Sequence, residues 1–164
     1  MSQEESLLKA FQRRMIGHAM LILLIGMFAG IGLLVSLIGG VEVLPGSLLP
    51  LHLPGNPDAW VRIHLGQMLN AFLIVLIALI LPLLGFSAGG GRRIGWLIVA
   101  TGWANTIFYW AALFAPNRAL TFGDNRLGVS NTASVMGLIP ALLFAIISII
   151  VVAAVAIRAF RRDA

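Results

Sequence analysis

The stretch that decides the fold is MIGHAMLILLIGMFAGIGLLVSLI, residues 15–38, which contains no Lys, Arg, Asp or Glu. An α-helix rises about 1.5 Å per residue, so about 20 apolar residues cross a hydrocarbon core of about 30 Å. The run is longer than the apolar segment of a secretory signal, which has about 7 to 15 residues. We therefore predict a membrane-spanning helix over residues 15–38.

Three more apolar runs follow, and they predict helices over about residues 62–86, 94–114 and 131–157. Hydrophobic side chains make up 60% of the 164 residues and charged ones 10%, whereas soluble domains average about 25% charged. The four helices use most of the chain and leave no length for a separate soluble domain. The sequence predicts an all-α integral membrane protein, with residues 1–164 forming one four-transmembrane-helix bundle.

The basic residues predict the orientation of this bundle. Of the 11 Lys and Arg residues, all except Arg62, Arg118 and Arg126 flank one set of helix ends. This majority comprises Lys9, Arg13, Arg14, Arg92, Arg93, Arg158, Arg161 and Arg162. The positive-inside rule then places both termini in the cytoplasm, together with the turn over residues 87–93. The clusters lie beside apolar runs and form no stripe with aromatics, so membrane lipid is the expected partner and nucleic acid is not.

Two longer segments, residues 42–60 and 115–130, connect the helices on the opposite side. They are rich in Pro, Asn and Gly, and we predict that they form ordered loops. Two interpretations remain open, because such loops either connect the helices or also cover a site. The chain has no cysteine, which excludes disulfides and thiolate metal sites.

Polar residues inside the predicted spans form two stripes. His64, Gln67 and Asn70 are spaced i, i+3, i+6 on the second helix, while Thr101, Asn105 and Tyr109 are spaced i, i+4, i+8 on the third. Because the two helices run in opposite directions, Asn70 and Asn105 lie at similar depths of roughly 12 and 14 Å. The stripes therefore form either a functional site inside the bundle or hydrogen bonds that only join the helices.

His64 is the candidate metal ligand. A neutral imidazole binds iron, copper or zinc, but no second His or carboxylate shares its helix face, which disfavours a bare metal ion. A porphyrin brings four nitrogens and needs only one axial His, so haem suits this chain. His18 and His52 are predicted to be ordinary interfacial and loop histidines.

The outer rim and the first helix supply further candidates. Arg62 and Arg118 either pair with carboxylates, such as haem propionates or Asp58, or remain solvated. Gly26 and Gly30 allow close packing against the first helix.

Three segments resemble a known family. They are FQRRMIGHAM (residues 11–20), HLPGNPDAWVRIHLGQMLNAF (residues 52–72) and GWANTIFYWAALFAPNRALTFGDNRLG (residues 102–128), and they are similar to the styrene oxide isomerases of bacterial styrene catabolism. The resemblance implies a homotrimer in the bacterial inner membrane, with haem b at the subunit interfaces. It also implies that His64 is the axial ligand and that Asn70 and Tyr109 position an epoxide.

The resemblance further implies a reaction. Ferric haem acts as a Lewis acid on an aryl epoxide such as styrene oxide, and a 1,2-hydride shift, a Meinwald rearrangement, gives the aldehyde. A dry pocket would stabilise the benzylic cation character and exclude water. We predict that this pocket is lined by Phe72, Trp103, Asn105 and Phe108.

One position departs from the family pattern, which has Asp where this chain has Thr101. A neutral hydroxyl would polarise Tyr109 more weakly than a carboxylate. Two other functions stay open at this point: a non-catalytic haem protein for electron transfer or gas sensing, and a haem-free structural module. In the latter, His64 would only form hydrogen bonds between helices.

Overall fold

The computed structural model describes residues 3–161, and most of this part of the chain is helical. The four long helices are α1 (Gln3–Ile38), α2 (Pro57–Ile80), α3 (Ala88–Leu113) and α4 (Thr132–Phe160). Two short strands, β1 (Gly40–Leu44) and β2 (Ser47–Pro50), follow α1, and a 3-10 helix (Leu81–Leu84) follows α2. Arg162, which the sequence analysis assigns to a basic cluster, lies outside the described residues.

Within residues 3–161, three segments are long and apolar enough to cross a membrane: Leu8–Ile38, Pro57–Leu84 and Thr132–Phe160. The helix α3 is of similar length, but polar residues such as Thr101, Asn105 and Thr106 lower its hydropathy, and it is not one of these three segments. Large apolar side chains cover the outside of the bundle, above all on α4, which buries few of its residues. These features are those of a multi-pass membrane protein.

Helices α2 and α3 begin earlier than hydropathy alone predicts, because capping residues start them. Asn56 accepts a hydrogen bond from the Ala59 amide at 3.0 Å, and Pro57 occupies the first turn, so α2 begins before the predicted residue 62. Ser87 caps α3 in the same way, ahead of the predicted residue 94. At the other end of α2, the α-helix gives way to the 3-10 helix at Leu81, which is earlier than the predicted end at residue 86.

The segment after α1 contains a β-hairpin, where the sequence analysis predicts only an ordered loop. β1 and β2 are antiparallel, with Gly40 opposite Pro50. The turn contains Gly46 at φ 80°, and its amide donates to the Glu42 carboxylate at 2.6 Å. Pro45 lies in the turn and Pro50 ends the second strand, so neither removes a needed ladder donor. The hairpin leaves the all-α bundle intact.

The two largest apolar clusters of the described residues lie inside the bundle. The larger one joins α1, α2, α3 and α4 around Met15, Ile22, Ile74 and Ile98. The smaller one lies nearer the start of α2; its buried members are Ala29, Ala59, Trp60, Ile63 and Leu113. The polar stripes of α2 and α3 lie between these clusters.

The helices of the larger cluster approach closely around Ile74, so removal of this side chain is predicted to lower stability substantially. Ile74 is 1% exposed, and a Cβ on Gly102 would lie 2.8 Å from its Cδ1. We expect Ile74→Ala to lower the free energy of unfolding by about 2 to 5 kcal/mol, because the cavity cannot close fully. Ile149, which is 69% exposed, provides the matched control. Equal thermal midpoints for Ile74→Ala and Ile149→Ala in detergent would contradict this assignment of the core.

Candidate functional site

A pair of amide side chains joins α2 to α3 inside the bundle. The Asn105 amide donates to Asn70 Oδ1 at 2.9 Å, and the Asn70 amide donates to the Gly66 carbonyl at 2.7 Å. The predicted common depth of Asn70 and Asn105 is therefore confirmed. The Asn70 side chain therefore keeps one N–H and one acceptor position on Oδ1 for a further partner.

Gln67 lies one helical turn before Asn70 and is fully buried. Its Oε1 lies 2.8 Å from Thr106 Oγ1, which is also 2.8 Å from the Gly102 carbonyl oxygen. A hydroxyl carries one proton, so Thr106 donates to one of these oxygens at a time. Gln67 Nε2 has no hydrogen-bond partner among the described residues. The buried amide nitrogen of Gln67 is therefore left without a hydrogen bond, and such a group costs about 1 to 3 kcal/mol of folding free energy.

His64 is oriented by α1. Its Nδ1 lies 2.8 Å from the Gly26 carbonyl oxygen, and because a carbonyl only accepts, Nδ1 carries the proton. Nε2 then keeps its lone pair, which is the arrangement found in metal-binding histidines. The ring lies so close to Gly30 that a Cβ there would be 2.9 Å from ring atoms Cε1 and Nδ1. Two glycines of α1 thus fix both the tautomer and the position of the imidazole.

Tyr109 lies against α2 at the same level. Its ring occupies the volume that a Cβ on Gly66 would need, and it packs on the smaller apolar cluster. Phe108 lies beside it, with ring centroids 5.4 Å apart. The absence of a side chain at Gly66 therefore lets the tyrosine approach the backbone of the Asn70 helix.

Charged groups gather at the start of α2. Arg118 Nη2 lies 3.7 Å from Asp58 Oδ2, with side-chain exposures of 32% and 78%. Arg62 lies within electrostatic range of both groups and of Tyr109. Its Nε and Nη2 are buried and have no hydrogen-bond partner in the described part of the chain. Two guanidinium groups therefore face one carboxylate, which leaves a positive site that suits an anion.

The predicted pocket residues lie on different sides of a single chain. Asn105 belongs to the amide pair, whereas Phe72 is 52% exposed on the outside of α2. Trp103 donates to His18 Nδ1 at 3.2 Å and lines a separate apolar groove of about 370 Å³. Phe108 packs on the small residues near the end of α3. Residues two positions apart on a helix point about 160° apart, which explains why Phe72 does not face the same way as Asn70.

Thr101 is buried, and its hydroxyl donates to the Leu97 carbonyl at 2.8 Å within α3. This bond satisfies its only proton. At this position the chain therefore offers Tyr109 no charged partner.

Sequence reasoning assigned Gly26 and Gly30 to helix packing and missed their contacts with His64. It also missed Asn117, which is fully buried in the loop after α3. The available signals were small residues at helical spacing in α1 and the Asn-rich composition of residues 117–131.

The described residues contain no group of three or more His, Cys, Asp or Glu that could hold a metal ion. A lone imidazole with a free Nε2 suits a metal whose other donors come from its own macrocycle. The donor set of this site therefore fits such a group better than a bare ion.

Comparison with known proteins identifies the family. The family model described as "Styrene oxide isomerase" matches residues 11–160. A protein named "Styrene-oxide isomerase" from Pseudomonas fluorescens is 39% identical over 155 residues, covering 94% of this chain and 92% of that protein. The chain therefore belongs to the styrene oxide isomerase family and is an isomerase.

Proposed function

We propose that this protein isomerises lipophilic aryl epoxides such as styrene oxide to aldehydes, with ferric haem b bound through His64. Family membership supports the substrate class, since the relative is named for styrene oxide. The observation that carries the haem assignment is the imidazole orientation: Nδ1 donates to Gly26, so Nε2 is available to iron.

The residues around His64 fit a haem group in two respects. The chain supplies His64 Nε2 as a nitrogen donor and no competing ligand cluster among the described residues. Arg62 has buried guanidinium atoms without partners, and Arg118 lies nearby. Because Arg62 and His64 lie two positions apart on α2 and point about 160° apart, they would hold one haem only where neighbouring subunits share it. Guanidinium groups bind carboxylates well, so we assign Arg62 and Arg118 to the haem propionates.

The chemistry that ferric haem supplies when bound is Lewis acidity toward an oxygen atom. Asn70 and Tyr109 are proposed to bind and orient the epoxide. Asn70 Nδ2 gives one proton to the Gly66 carbonyl and keeps a second N–H for the epoxide oxygen, while Tyr109 presents its hydroxyl. Both groups would stabilise negative charge that develops on oxygen in the transition state.

The reaction needs no proton from solvent. The bond between the benzylic carbon and oxygen breaks, a hydride moves to that carbon from its neighbour, and the neighbour forms the C=O bond. All atoms stay in the substrate, which is consistent with a helical interior that has no paired carboxylates or Ser–His–Asp set. The chain's main further task is to exclude water, which would convert the cation to a diol.

We further propose four spans, with α3 as the most polar one, both termini in the cytoplasm, and a homotrimer in the bacterial inner membrane. The distribution of Lys and Arg supports the orientation. The outward position of Phe72 supports the trimer, because this ring would wall the substrate pocket only if a neighbouring subunit completed it.

The ligand assignment is tested on protein purified in detergent after expression with haem supplied. We expect wild type and His52→Ala to show a Soret band and to form phenylacetaldehyde from styrene oxide, and His64→Ala to lose both. A Soret band without turnover would indicate a haem protein of another function. A colourless wild type would overturn the haem assignment.

Gly30→Ala tests whether α1 positions the imidazole. The added methyl group would lie 2.9 Å from the ring, so we expect a shifted Soret band and weaker haem retention. Gly17→Ala on the same helix is the matched control, because a Cβ at Gly17 would meet no atom within 4 Å. Identical spectra for the two variants would show that Gly30 does not set the ring position.

Tyr109→Phe separates catalysis from cofactor binding. The ring that packs on Gly66 is kept and only the hydroxyl is lost. We expect an unchanged Soret band and a kcat about 10²- to 10³-fold lower, the usual effect of removing one donor to a developing oxyanion. An unchanged kcat would exclude a catalytic role for the hydroxyl.

A further inference from the structure

One buried side chain, Asn117, organises the loop between α3 and α4. Its amide donates to the carbonyls of Thr121 at 2.8 Å and Gly123 at 3.0 Å. Its Oδ1 accepts from the Ala119 amide at 3.0 Å and from Ser134 Oγ at 2.6 Å. The side chain is 0% exposed. It therefore links the loop to the first turn of α4 without any contact with water.

The same loop is reinforced near its surface by Asn125. Its amide donates to the Asn117 carbonyl at 3.0 Å and to Thr121 Oγ1 at 2.9 Å, while its Oδ1 accepts from the Leu127 amide at 2.8 Å. The side chains of Asn117 and Asn125 thus hold the backbone of residues 117–127 together through hydrogen bonds.

These bonds enclose an uncommon backbone conformation. Arg118 and Ala119 have φ of 60° and 54°, the left-handed region that residues with a Cβ seldom occupy. The Asn117 side chain spans this pair by accepting from the Ala119 amide. Without that bond, both residues would relax toward the favoured regions, and the Arg118 side chain would change direction.

The direction of Arg118 matters because of what it faces. In the observed conformation its guanidinium lies 3.7 Å from Asp58 at the start of α2, close to Arg62. The Arg62 atoms Nε and Nη2 are buried without partners, so the pair of arginines retains capacity for a second carboxylate.

We infer that Asn117 is a positioning residue for the carboxylate-binding site formed by Arg118 and Arg62, which on the function proposed above receives a haem propionate. The loop of residues 115–130 is then part of the cofactor site and not only a connection between helices. Asn117 acts through Arg118, without touching the cofactor.

The test compares two cofactors that differ only in their carboxylates. Protein produced without added haem is titrated with haem b and with its dimethyl ester, and the affinity ratio is read from the Soret band. We expect wild type to prefer haem b by about tenfold or more, the usual strength of a hydrogen bond to a charged group. Arg118→Ala and Asn117→Ala should both lower this ratio to a similar extent, and the double variant should lower it no further.

Ser87→Ala is the matched control, because it removes the side-chain cap of α3 at the end of that helix away from Arg118. It should lose thermal stability while keeping the wild-type ratio. If Asn117→Ala fails to fold, Asn125→Ala replaces it and should give an intermediate ratio. A wild-type ratio in the tested variant would overturn this inference alone. A wild type that binds neither cofactor would overturn the proposed function and this inference with it.

Discussion

The hydrogen bond from Asn105 to Asn70 is the interaction on which the arrangement of α2 and α3 depends. An amide in a lipid-embedded helix has no water to bind, so it has to find a partner on a neighbouring helix. Once these two amides are paired, the relative height and rotation of the helices are fixed. Tyr109 then meets α2 at Gly66. His64 lies one turn before Gln67, at the level of Gly26. This pairing thus sets the height at which Tyr109 meets α2.

Glycine contributes as much to the site as the polar residues do. Gly26 and Gly30 bring the α1 backbone close enough to His64 for a carbonyl to fix the proton on Nδ1. A backbone carbonyl cannot titrate or rotate away, so this orientation is set by the helix itself. On the opposite side of α2, the lack of a side chain at Gly66 lets the Tyr109 ring pack directly on the α2 backbone. In the proposed site, glycines of α1 and α2 thus make room for the side chains of His64 and Tyr109 on the neighbouring helices.

The helices and the common depth of the two amides follow from hydropathy and helical spacing, which is why the sequence could predict them. The starts of α2 and α3 could not be placed by hydropathy, because Asn56 and Ser87 set them through capping bonds. The hairpin depends on a Pro-Gly turn inside a segment that reads as a loop. Within one chain Phe72 and Trp103 face away from the amide pair, because each lies two positions from Asn70 or Asn105 and therefore points about 160° away from it. Asn117 acts through loop contacts that have no periodic signature.

The contact between Tyr109 and Gly66 also constrains how this enzyme can diverge. A side chain at position 66 and the ring at position 109 compete for one volume, so substitutions at the two positions are not additive. A larger residue at 66 becomes acceptable only after the ring at 109 has been reduced, and that step removes the phenol. On the function proposed above, libraries intended to widen the substrate range have to vary both positions together, because a path of single changes loses either the fit of the ring or its hydroxyl.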